Sequence, residues 1–255
     1  MKSLCIAFAM YSKIPMPRVD WDKRPLSFAL CYFPCVGLVI GAVLWGWITL
    51  SQWLGLGKPL FAAVALLLPI VLSGGIHLDG FCDTCDALSS HQSRERKLEI
   101  LKDSHTGAFA IICCCLYLLS FFACWTEVDL VGRAPLILAV LPVLSRSLSG
   151  LFATTLPNAR GSGLLATFTQ PMDSVKARLV LGLEVAICMA VMVFLDVWLG
   201  LWAVVGCAVI CVYYVALSHR KFGGITGDLA GFFLQLCEVG GLLFVILGQR
   251  LETLL

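Results

Sequence analysis

The chain alternates between long apolar stretches and shorter polar segments. Each apolar stretch is close to the ~20 residues that an α-helix needs to cross the hydrocarbon of a bilayer. These stretches cover residues 27–52, 59–78, 107–125, 134–157, 179–195, 197–217 and 232–249, and Asp196 alone separates the fifth from the sixth. The pattern predicts an all-α, polytopic membrane bundle of about seven transmembrane helices, in one domain over residues 1–255.

The composition supports a membrane protein. The chain is 60% hydrophobic and 13% charged, with a mean hydropathy of +0.93, whereas soluble domains carry about 25% charged residues. The lipid bilayer is therefore an expected partner, and the net charge of +2 gives no reason to expect a nucleic acid partner. The 13 cysteines lie mostly in apolar stretches, which argues against a disulfide framework.

Lysine and arginine are distributed unequally between the two predicted sides of the membrane. The N-terminal segment and the loops after the second, fourth and sixth stretches hold 5, 4, 3 and 2 of them, 14 in total. The opposite side holds 3, and Arg146 lies within the fourth stretch. By the positive-inside rule this bias predicts a cytoplasmic N-terminus and an external C-terminus. The acidic motifs described next then lie on the cytoplasmic face.

Three aspartates end the second apolar stretch, in the sequence GGIHLDGFCDTCDAL at 74–88. On a helix Asp79, Asp83 and Asp86 lie at about 0°, 40° and 340°, on one narrow stripe. Like charges crowded at a membrane interface repel one another, and a hard divalent cation relieves that cost. Mg²⁺ prefers carboxylate oxygens and leaves room for phosphates, so we expect this stripe to hold Mg²⁺ and, through it, a diphosphate. A solvated acidic helix end is the alternative.

Two other residue types within this motif have simpler interpretations. Cys82 and Cys85 form a C-x-x-C pair, for which a zinc or redox role is the alternative. With no second pair close by in the sequence, we interpret them as small spacers beside the aspartates. His77 lies about 160° from Asp79 around the helix, so we expect it to pack or hydrogen-bond at the end of the apolar stretch.

Further polar residues precede the third apolar stretch, in the sequence LKDSHTGAF at 101–109. Lys102 and His105 flank Asp103, and basic residues beside an acid suit a phosphate held through a metal. Helix capping alone would also explain Asp103. Arg94 and Arg96 are candidate phosphate contacts, with ordinary positive-inside charges as the alternative.

A glycine-rich segment, KFGGITGDLAGFFLQLCEVGG at 221–241, leads into the last apolar stretch. Its glycines allow a tight turn or the close approach of a ligand to the backbone, and Asp228 follows them. Gln235 and Glu238 fall within the apolar stretch, where an ionisable residue suggests a function. A structural ion pair between Glu238 and Arg146 inside the membrane is the alternative.

These motifs together resemble one family. GGIHLDGFCDTCDAL, SRERKLEILKDSHTGAF and GGITGDLAG are similar, in order and spacing, to cobalamin synthases, the adenosylcobinamide-GDP ribazoletransferases. YSKIPMP at 11–17, Arg146 and NARGSGLLATF at 158–168 extend the likeness over about residues 8–245. Three positions depart from the family pattern, since His105 and Lys13 replace arginines and Gln235 replaces a common glutamate.

The resemblance implies an integral inner-membrane transferase of the phosphotransferase type that needs Mg²⁺. Its substrates would be small molecules, adenosylcobinamide-GDP and α-ribazole or α-ribazole 5′-phosphate. Their joining gives adenosylcobalamin or its 5′-phosphate together with GMP, at a late step of cobalamin biosynthesis. A complex with other cobalamin-assembly enzymes is a further expectation.

Residue roles follow from the motifs and the resemblance together. The residues expected to hold Mg²⁺ are Asp79, Asp83, Asp86, Asp103 and Asp228. Those expected to act in catalysis are Asp83, Asp86, Lys102 and Asp228, with Asp83 or Asp86 accepting the proton of the attacking hydroxyl. Those expected to bind substrate are Gly74, Gly75, Arg94, Arg96, His105, Arg160, Gly223, Gly224, Thr226, Gly227 and Glu238.

Two other functional classes share parts of the pattern. CDP-alcohol phosphotransferases and membrane prenyltransferases also use aspartate motifs over Mg²⁺, on lipid diphosphates. The first group has D-G-x-x-A-R, and here Asp79-Gly80 is not followed by the Ala-Arg pair. A cation transporter would use intramembrane acids, but transporters place their sites near the midplane between paired repeats, whereas these acids cluster at one face.

Overall fold

The computed structural model describes residues 2–19, 28–103, 105–161, 163–169 and 174–254. A 3₁₀ turn, Leu30–Tyr32, precedes α2, and a π-helical turn, Ser218–Phe222, follows α10. The α-helices of the described residues are α1 Lys2–Tyr11, α2 Phe33–Trp53, α3 Lys58–Ser73, α4 Ile76–Ser89, α5 Arg94–Ile100, α6 Ala108–Glu127, α7 Ala134–Thr155, α8 Leu164–Thr169, α9 Ser174–Leu195, α10 Val197–Leu217 and α11 Gly227–Glu252.

Six of the described helical segments are long and apolar enough to cross a membrane. They are Leu30–Trp53, Ala108–Glu127, Ala134–Thr155, Ser174–Leu195, Val197–Phe222 and Gly227–Glu252. Helices α3 and α4 add a seventh candidate only as a pair, because they are bent by 95° relative to each other. The prediction of an all-α membrane bundle is confirmed, with six spans or up to seven. The first predicted stretch begins at residue 27, which lies outside the described residues.

The second predicted stretch, 59–78, is wrong as one continuous helix. Helix α3 ends at Ser73, and Gly74 and Gly75 follow with φ of 68° and 79°. Two successive residues in the left-handed region interrupt the helical hydrogen-bond ladder, and glycine adopts that region without a steric penalty. Helix α4 therefore starts in a new direction. With 14 residues it is too short to cross a bilayer, and we treat it as a helix outside the spans.

The boundary between the fifth and sixth stretches is confirmed. Helix α9 ends at Leu195 and α10 begins at Val197. Asp196 between them has an extended backbone, and its Oδ1 accepts a hydrogen bond of 2.9 Å from the Leu199 N–H. This is the N-cap arrangement that aspartate favours, so the single polar residue is enough to end one helix and start the next.

Helix α11 lies at the centre of the bundle. In its most apolar window 72% of the residues are buried, against 22% in each of α6 and α9. Tyr214 and Phe152 pack on Phe233 of this helix, with ring centroids 4.9 and 5.2 Å from that of Phe233. The outward apolar side chains of α6 and α9 suit contact with lipid, because the hydrocarbon offers no polar partner.

Four polar segments meet at one end of the bundle. Lys13 lies over the bend between α3 and α4, and the Arg94 guanidinium lies over Gly223. Asn158 and Ile225 form an isolated parallel bridge that joins the segment after α7 to the segment before α11. The four segments that carry the 14 lysines and arginines of the predicted cytoplasmic side are therefore linked at the same end.

The other end of the bundle has its own polar contacts. Arg250 near the end of α11 pairs with Asp129 at 3.1 Å, and the Gln52 amide donates a hydrogen bond of 2.7 Å to the Leu130 carbonyl. These contacts tie together the ends of α2, α6 and α11 that lie farthest from the aspartates. The acidic motifs and these residues thus occupy opposite ends of the molecule.

Candidate active site

The aspartate stripe is formed by helix α4. Its opposite side is buried against the bundle, where Phe81 stacks on Phe232 of α11 with ring centroids 5.5 Å apart. Asp79 is exposed, while Asp83 and Asp86 are half-buried. The predicted helix and its shared acidic face are therefore present, and the face points away from the apolar core.

A fourth aspartate, Asp228, joins the stripe because α4 and α11 approach each other closely. A β-carbon at Gly80 would lie 2.8 Å from the carbonyl oxygen of Asp228. A β-carbon at Gly231, one turn further along α11, would lie 2.7 Å from the carbonyl oxygen of His77. Two glycines facing the opposing backbones thus bring the start of α11 against the first turns of α4, beside Asp79.

Asp83 shows how crowded these carboxylates are. Its partial burial, the largest cause, and the charges of Asp79, Asp228 and Asp86 together raise its pKa to about 6, against the opposing effect of Arg160. The carboxylates are thus close enough to repel one another electrostatically. A bound cation would relieve this repulsion.

Asp228 is held by the two loops that meet at this end. Its carboxylate pairs with Arg160 at 3.0 Å, and the side chains of the pair are 25% and 16% exposed. The Thr226 hydroxyl donates a bond of 3.3 Å to the same carboxylate and accepts one of 3.2 Å from the Leu229 N–H, so it also caps α11. Gly227, the first residue of α11, lines the cavity beside this pair.

Arg160 reaches Asp228 because of the bridge between the loops. The Ala159 N–H donates to the Ile225 carbonyl at 2.9 Å, and the Ile225 N–H donates to the Pro157 carbonyl at 2.8 Å. Gly224 lies directly on the Pro157 carbonyl, with no room for a β-carbon and with φ of 158°. The glycine-rich segment and the segment around Arg160 are therefore one unit.

Asp86 has a second role in addition to its place on the stripe. Its carboxylate accepts a hydrogen bond of 3.1 Å from the Gly107 N–H, at the residue before helix α6. A β-carbon at Gly107 would overlap this carboxylate. Asp86 therefore caps α6 from a neighbouring helix, with a charge that suits the positive end of the helix dipole.

Several predicted site residues lie apart from this cluster, on helix α5 and on the exposed segment that follows it. Asp103 pairs with His105 at 2.7 Å, with side chains that are 58% and 91% exposed. The His105 N–H and ring lower the pKa of Asp103. Arg96 pairs with Glu99 at 2.6 Å, and Lys102 is exposed. The structure does not bring Asp103 into the carboxylate cluster, so its role as a metal ligand stays a prediction.

The glycines before the aspartate stripe and those of the glycine-rich segment have identifiable neighbours. Gly74 lies under the aliphatic part of Lys13, and Gly75 completes the bend next to it. An open groove passes from these glycines to Asp79 and Cys82. Gly223 lies under the Arg94 guanidinium, so Arg94 reaches the glycine-rich segment from helix α5.

Glu238 lies deep in the bundle. It forms a buried ion pair with Arg146, which is also close to Ser145. Ten residues along α11 separate it from Asp228, or about 15 Å at 1.5 Å per residue. The alternative of a structural ion pair is what the structure shows, and substrate binding by Glu238 stays a prediction. Gln235, one turn earlier, accepts a hydrogen bond from Tyr117.

The two cysteines of the C-x-x-C motif pack on helix α6. The Cys82 thiol is in hydrogen-bonding contact with Cys114, and the Cys85 thiol with Cys113. All four are free thiols. Their small side chains let α4 lie close to α6, which agrees with their interpretation as spacers.

A cavity of about 150 Å³ opens beside Asp79, Asp228 and Arg160. It continues between α1, α2, α4, α7 and α11, and Tyr11 and Asn158 are among the residues that line it. Sequence reasoning missed these two as site residues. Tyr11 begins the YSKIPMP segment and Asn158 begins NARGSGLLATF, so the motif resemblance at both places was the available signal.

The carboxylates fit Mg²⁺ by their chemistry. Among the described residues, no group of three or more His, Cys, Asp or Glu side chains is already arranged as a metal cage. Mg²⁺ does not require one, because one or two carboxylates hold it together with waters and substrate phosphates. Asp79, Asp83 and Asp228 supply hard oxygen donors in a mutually repelling set, which is the environment that such a cation stabilises.

Comparison with known proteins gives one consistent result. Residues 3–246 match the family described as cobalamin-5-phosphate synthase. Adenosylcobinamide-GDP ribazoletransferase of Lachnoclostridium phytofermentans is 41% identical, over 98% of this chain and 95% of the relative. The proteins of that name from Pseudomonas fluorescens and Clostridium botulinum (strain Alaska E43) are 39% and 35% identical, over 95% and 94% of this chain and 98% and 95% of their own length. No solved structure matches.

Proposed function

Because the chain belongs to the cobalamin-5-phosphate synthase family, we propose that it joins adenosylcobinamide-GDP to α-ribazole or α-ribazole 5′-phosphate. The products are adenosylcobalamin or its 5′-phosphate, and GMP. The observation that carries this proposal is the meeting of Asp79, Asp83 and Asp228 with Arg160 at the basic end of the bundle. This set of charges suits a diphosphate and its counter-ion.

The proposed Mg²⁺ ligands are Asp79, Asp83 and Asp228, with Asp86 contributing the carboxylate oxygen that does not cap α6. When bound, Mg²⁺ neutralises diphosphate oxygens and stabilises charge on the leaving phosphate. Arg160 lies beside Asp228 and supplies a planar guanidinium that suits phosphate oxygens. Arg94, held over Gly223, is a second cation on the same face.

The reaction is a phosphoryl transfer with a simple balance of bonds. A ribose hydroxyl of the ribazole forms a bond to the cobinamide-linked phosphorus, and the bond from that phosphorus to the oxygen of GMP breaks. The hydroxyl proton passes to Asp83 or Asp86, through a carboxylate oxygen that does not hold the cation. Both residues are half-buried on the same face of α4. Phosphoryl transfer depends mainly on positioning and charge neutralisation, and both come from residues held on helix ends.

We also propose that the site faces the cytoplasm from the inner membrane. The support is the excess of lysine and arginine in the segments that surround the aspartates. We further propose a complex with other cobalamin-assembly enzymes, because the substrates are themselves intermediates of cobalamin assembly.

The test is GMP release by the purified full-length protein in lipid nanodiscs, with Mg²⁺, adenosylcobinamide-GDP and α-ribazole. We expect release by the wild type and loss of release in Asp83→Asn. Glu99→Gln, which removes an exposed carboxylate outside the cluster, is the matched control and should retain release. Release in Asp83→Asn at the wild-type rate would contradict the proposed site.

Replacing the acceptor α-ribazole distinguishes the proposed function from a lipid-diphosphate transferase and from a cation transporter. When a lipid alcohol replaces α-ribazole, no GMP release is expected. Release with the lipid alcohol and none with α-ribazole would instead identify a lipid-diphosphate transferase. Uptake of a cation into vesicles without GMP release would identify a transporter.

A further inference from the structure

The cavity beside the aspartates has two chemically different parts. Asp79, Asp228 and Arg160 belong to the proposed diphosphate site. The rest of the wall is largely aromatic and aliphatic and includes Tyr11 and Phe33. A site that held only a diphosphate and its cation would not need this second part.

Three rings from different parts of the chain form the aromatic wall. The ring centroids of Tyr11 and Phe33 are 4.2 Å apart, and those of Phe33 and His77 are 5.6 Å apart. Tyr11 and His77 are nearly parallel, at 22°. Such a group offers faces and edges on which another planar ring system can pack.

Two buried polar atoms on the wall have no hydrogen-bond partner among the residues that the structure describes. His77 is 6% exposed, and its Nε2 has no hydrogen-bond partner. The Nδ2 of Asn158 is also buried without a partner. Its Oδ1 accepts bonds from the Arg160 N–H at 2.9 Å and the Gly161 N–H at 3.2 Å, so the amide orientation is fixed. Because buried polar atoms are nearly always paired and both residues line the cavity, a molecule bound in the cavity would supply the partners of these two atoms.

The volume limits what this ligand can be. Sites for drug-sized ligands occupy about 300–1,000 Å³, and this cavity has about 150 Å³. One fused ring system fits such a space, whereas a corrin macrocycle does not. The cavity therefore suits the base of one of the two nucleotide-like groups in the proposed reaction.

We propose that this cavity binds the benzimidazole base of the ribazole acceptor, with its ribose directed toward Asp79 and Asp228. The inference rests on the proposed function. That base is apolar apart from one free ring nitrogen, which can accept a hydrogen bond from Asn158 Nδ2. The guanine of the donor has several donors and acceptors along its edge, and a wall that includes Leu30 and Leu234 would leave most of them unpaired.

This arrangement assigns the two substrates to different sides of the carboxylates. The acceptor base lies inside the bundle, and the attacking hydroxyl points outward to the aspartates. The corrinoid then lies on the open side, where Asp79 is exposed and the groove past Gly74 and Cys82 begins. The cavity fixes the acceptor before the donor arrives, which is the positioning that phosphoryl transfer needs.

The test fills the cavity without removing a charge. Ala153 is 7% exposed and lines the cavity, so Ala153→Leu places a larger side chain within it. We expect the KM for α-ribazole to rise about tenfold or more, while the KM for adenosylcobinamide-GDP stays within about twofold. Ala190→Leu, at an exposed position on α9, is the matched control and should change neither value.

Two further variants test the polar atoms with little change in shape. His77→Phe keeps a ring beside Tyr11 and Phe33 but removes Nε2. Asn158→Asp keeps the oxygen that accepts from the Arg160 N–H, replaces the N–H donor with a second oxygen and adds one negative charge. Each should raise the KM for α-ribazole. An increase in the KM for adenosylcobinamide-GDP instead, in these variants and in Ala153→Leu, would show that the donor base occupies the cavity and would overturn the inference.

Equilibrium dialysis of radiolabelled α-ribazole, with the full-length protein in nanodiscs and without donor or Mg²⁺, separates this inference from the proposed function. Binding to the wild type that is weakened in Ala153→Leu supports the inference whether or not GMP is released. GMP release by the wild type with α-ribazole binding and KM unchanged in Ala153→Leu would overturn the inference and leave the function standing. Absence of GMP release would count against the function alone.

Discussion

Gly80 and Asp228 lie backbone to backbone where the aspartate helix crosses the start of the last span. A β-carbon at residue 80 would lie 2.8 Å from the Asp228 carbonyl oxygen and 2.9 Å from its Cα. This contact sets the distance between Asp228 of the glycine-rich segment and the aspartate stripe of α4. The site is therefore defined by a close helix crossing as much as by the acids themselves.

Gly80→Ala is expected to lower the rate of GMP release about tenfold or more, because the crossing must widen and a displacement of the catalytic groups by about 1 Å can cost about 100-fold in rate. The KM for α-ribazole should change less than kcat. The measurement is steady-state kinetics on protein with an unchanged elution volume and helical content. Gly182→Ala is the matched control, since no atom lies within 4 Å of a β-carbon at that helical glycine. Equal losses in both variants would show a general effect of helix glycines.

Arg160→Lys is expected to lower kcat/KM for adenosylcobinamide-GDP, by about tenfold, because lysine keeps the charge but lacks the planar fork of arginine. The pairing with Asp228 at 3.0 Å would be weakened at the same time. Steady-state kinetics with the donor varied is the measurement. Arg250→Lys at the opposite end, where arginine also pairs with acids, should behave as the wild type. If kcat/KM for adenosylcobinamide-GDP were unchanged in Arg160→Lys, the planar guanidinium of Arg160 would have no role in binding the donor.

Removal of the divalent cation tests the carboxylate set directly. EDTA is expected to abolish GMP release, and Mg²⁺ in excess should restore it. In Asp79→Asn the concentration of Mg²⁺ that gives half-maximal release should rise about tenfold, because one hard anionic donor is lost. Glu99→Gln should leave this concentration unchanged. Full activity in EDTA would refute the metal hypothesis, and an unchanged Mg²⁺ requirement in Asp79→Asn would remove that residue from the ligand set.

The class of fold can be predicted from the sequence because each helix is determined by residues within its own segment. About twenty apolar residues dictate a span wherever they occur, and Asp196 ends a helix through its own side chain. The helical stripe of Asp79, Asp83 and Asp86 is also local, since it needs only the period of the helix. The 95° bend at Gly74 and Gly75 is a different case, because glycine permits a left-handed backbone without requiring it.

Long-range contacts account for what the sequence left unresolved. Arg160 and Asp228 are 68 residues apart and meet through a bridge between two loops, and no periodicity indicates that pairing. Asp103 is also an aspartate in a polar segment next to an apolar stretch, yet its side chain pairs with His105 and not with the carboxylate cluster. His77 was expected to pack, and it does pack against Phe33, but its unpartnered Nε2 becomes visible only when the surrounding helices are in place.

The buried pair of Arg146 and Glu238 is predicted to serve stability. Glu238→Gln should lower the thermal stability of the protein in nanodiscs, since breaking a buried pair from one side costs about 3–5 kcal/mol. The loss in Arg146→Met with Glu238→Gln together should be smaller than the sum of the two single losses. The measurement is a double-mutant cycle on the unfolding midpoint. A Glu238→Gln variant with normal stability and a raised substrate KM would instead support substrate binding by Glu238.

The two roles of Asp86 can be separated by two substitutions. Asn keeps an oxygen that can accept from the Gly107 N–H, whereas Ala removes the cap of α6. Both should weaken Mg²⁺-dependent GMP release, because both remove the charge. Only Asp86→Ala should also lose about 0.5–2 kcal/mol of stability, the usual cost of deleting an N-cap.

Ser93→Ala provides the matched control for this pair. The Ser93 hydroxyl caps the short helix α5 by accepting from the Arg96 N–H, so its loss removes a cap that lies outside the carboxylate cluster. Its effect should be confined to thermal stability, with the Mg²⁺ requirement unchanged. If Asp86→Asn released GMP with the wild-type Mg²⁺ dependence while Asp86→Ala lost only stability, Asp86 would be a capping residue alone, and the ligand set would reduce to Asp79, Asp83 and Asp228.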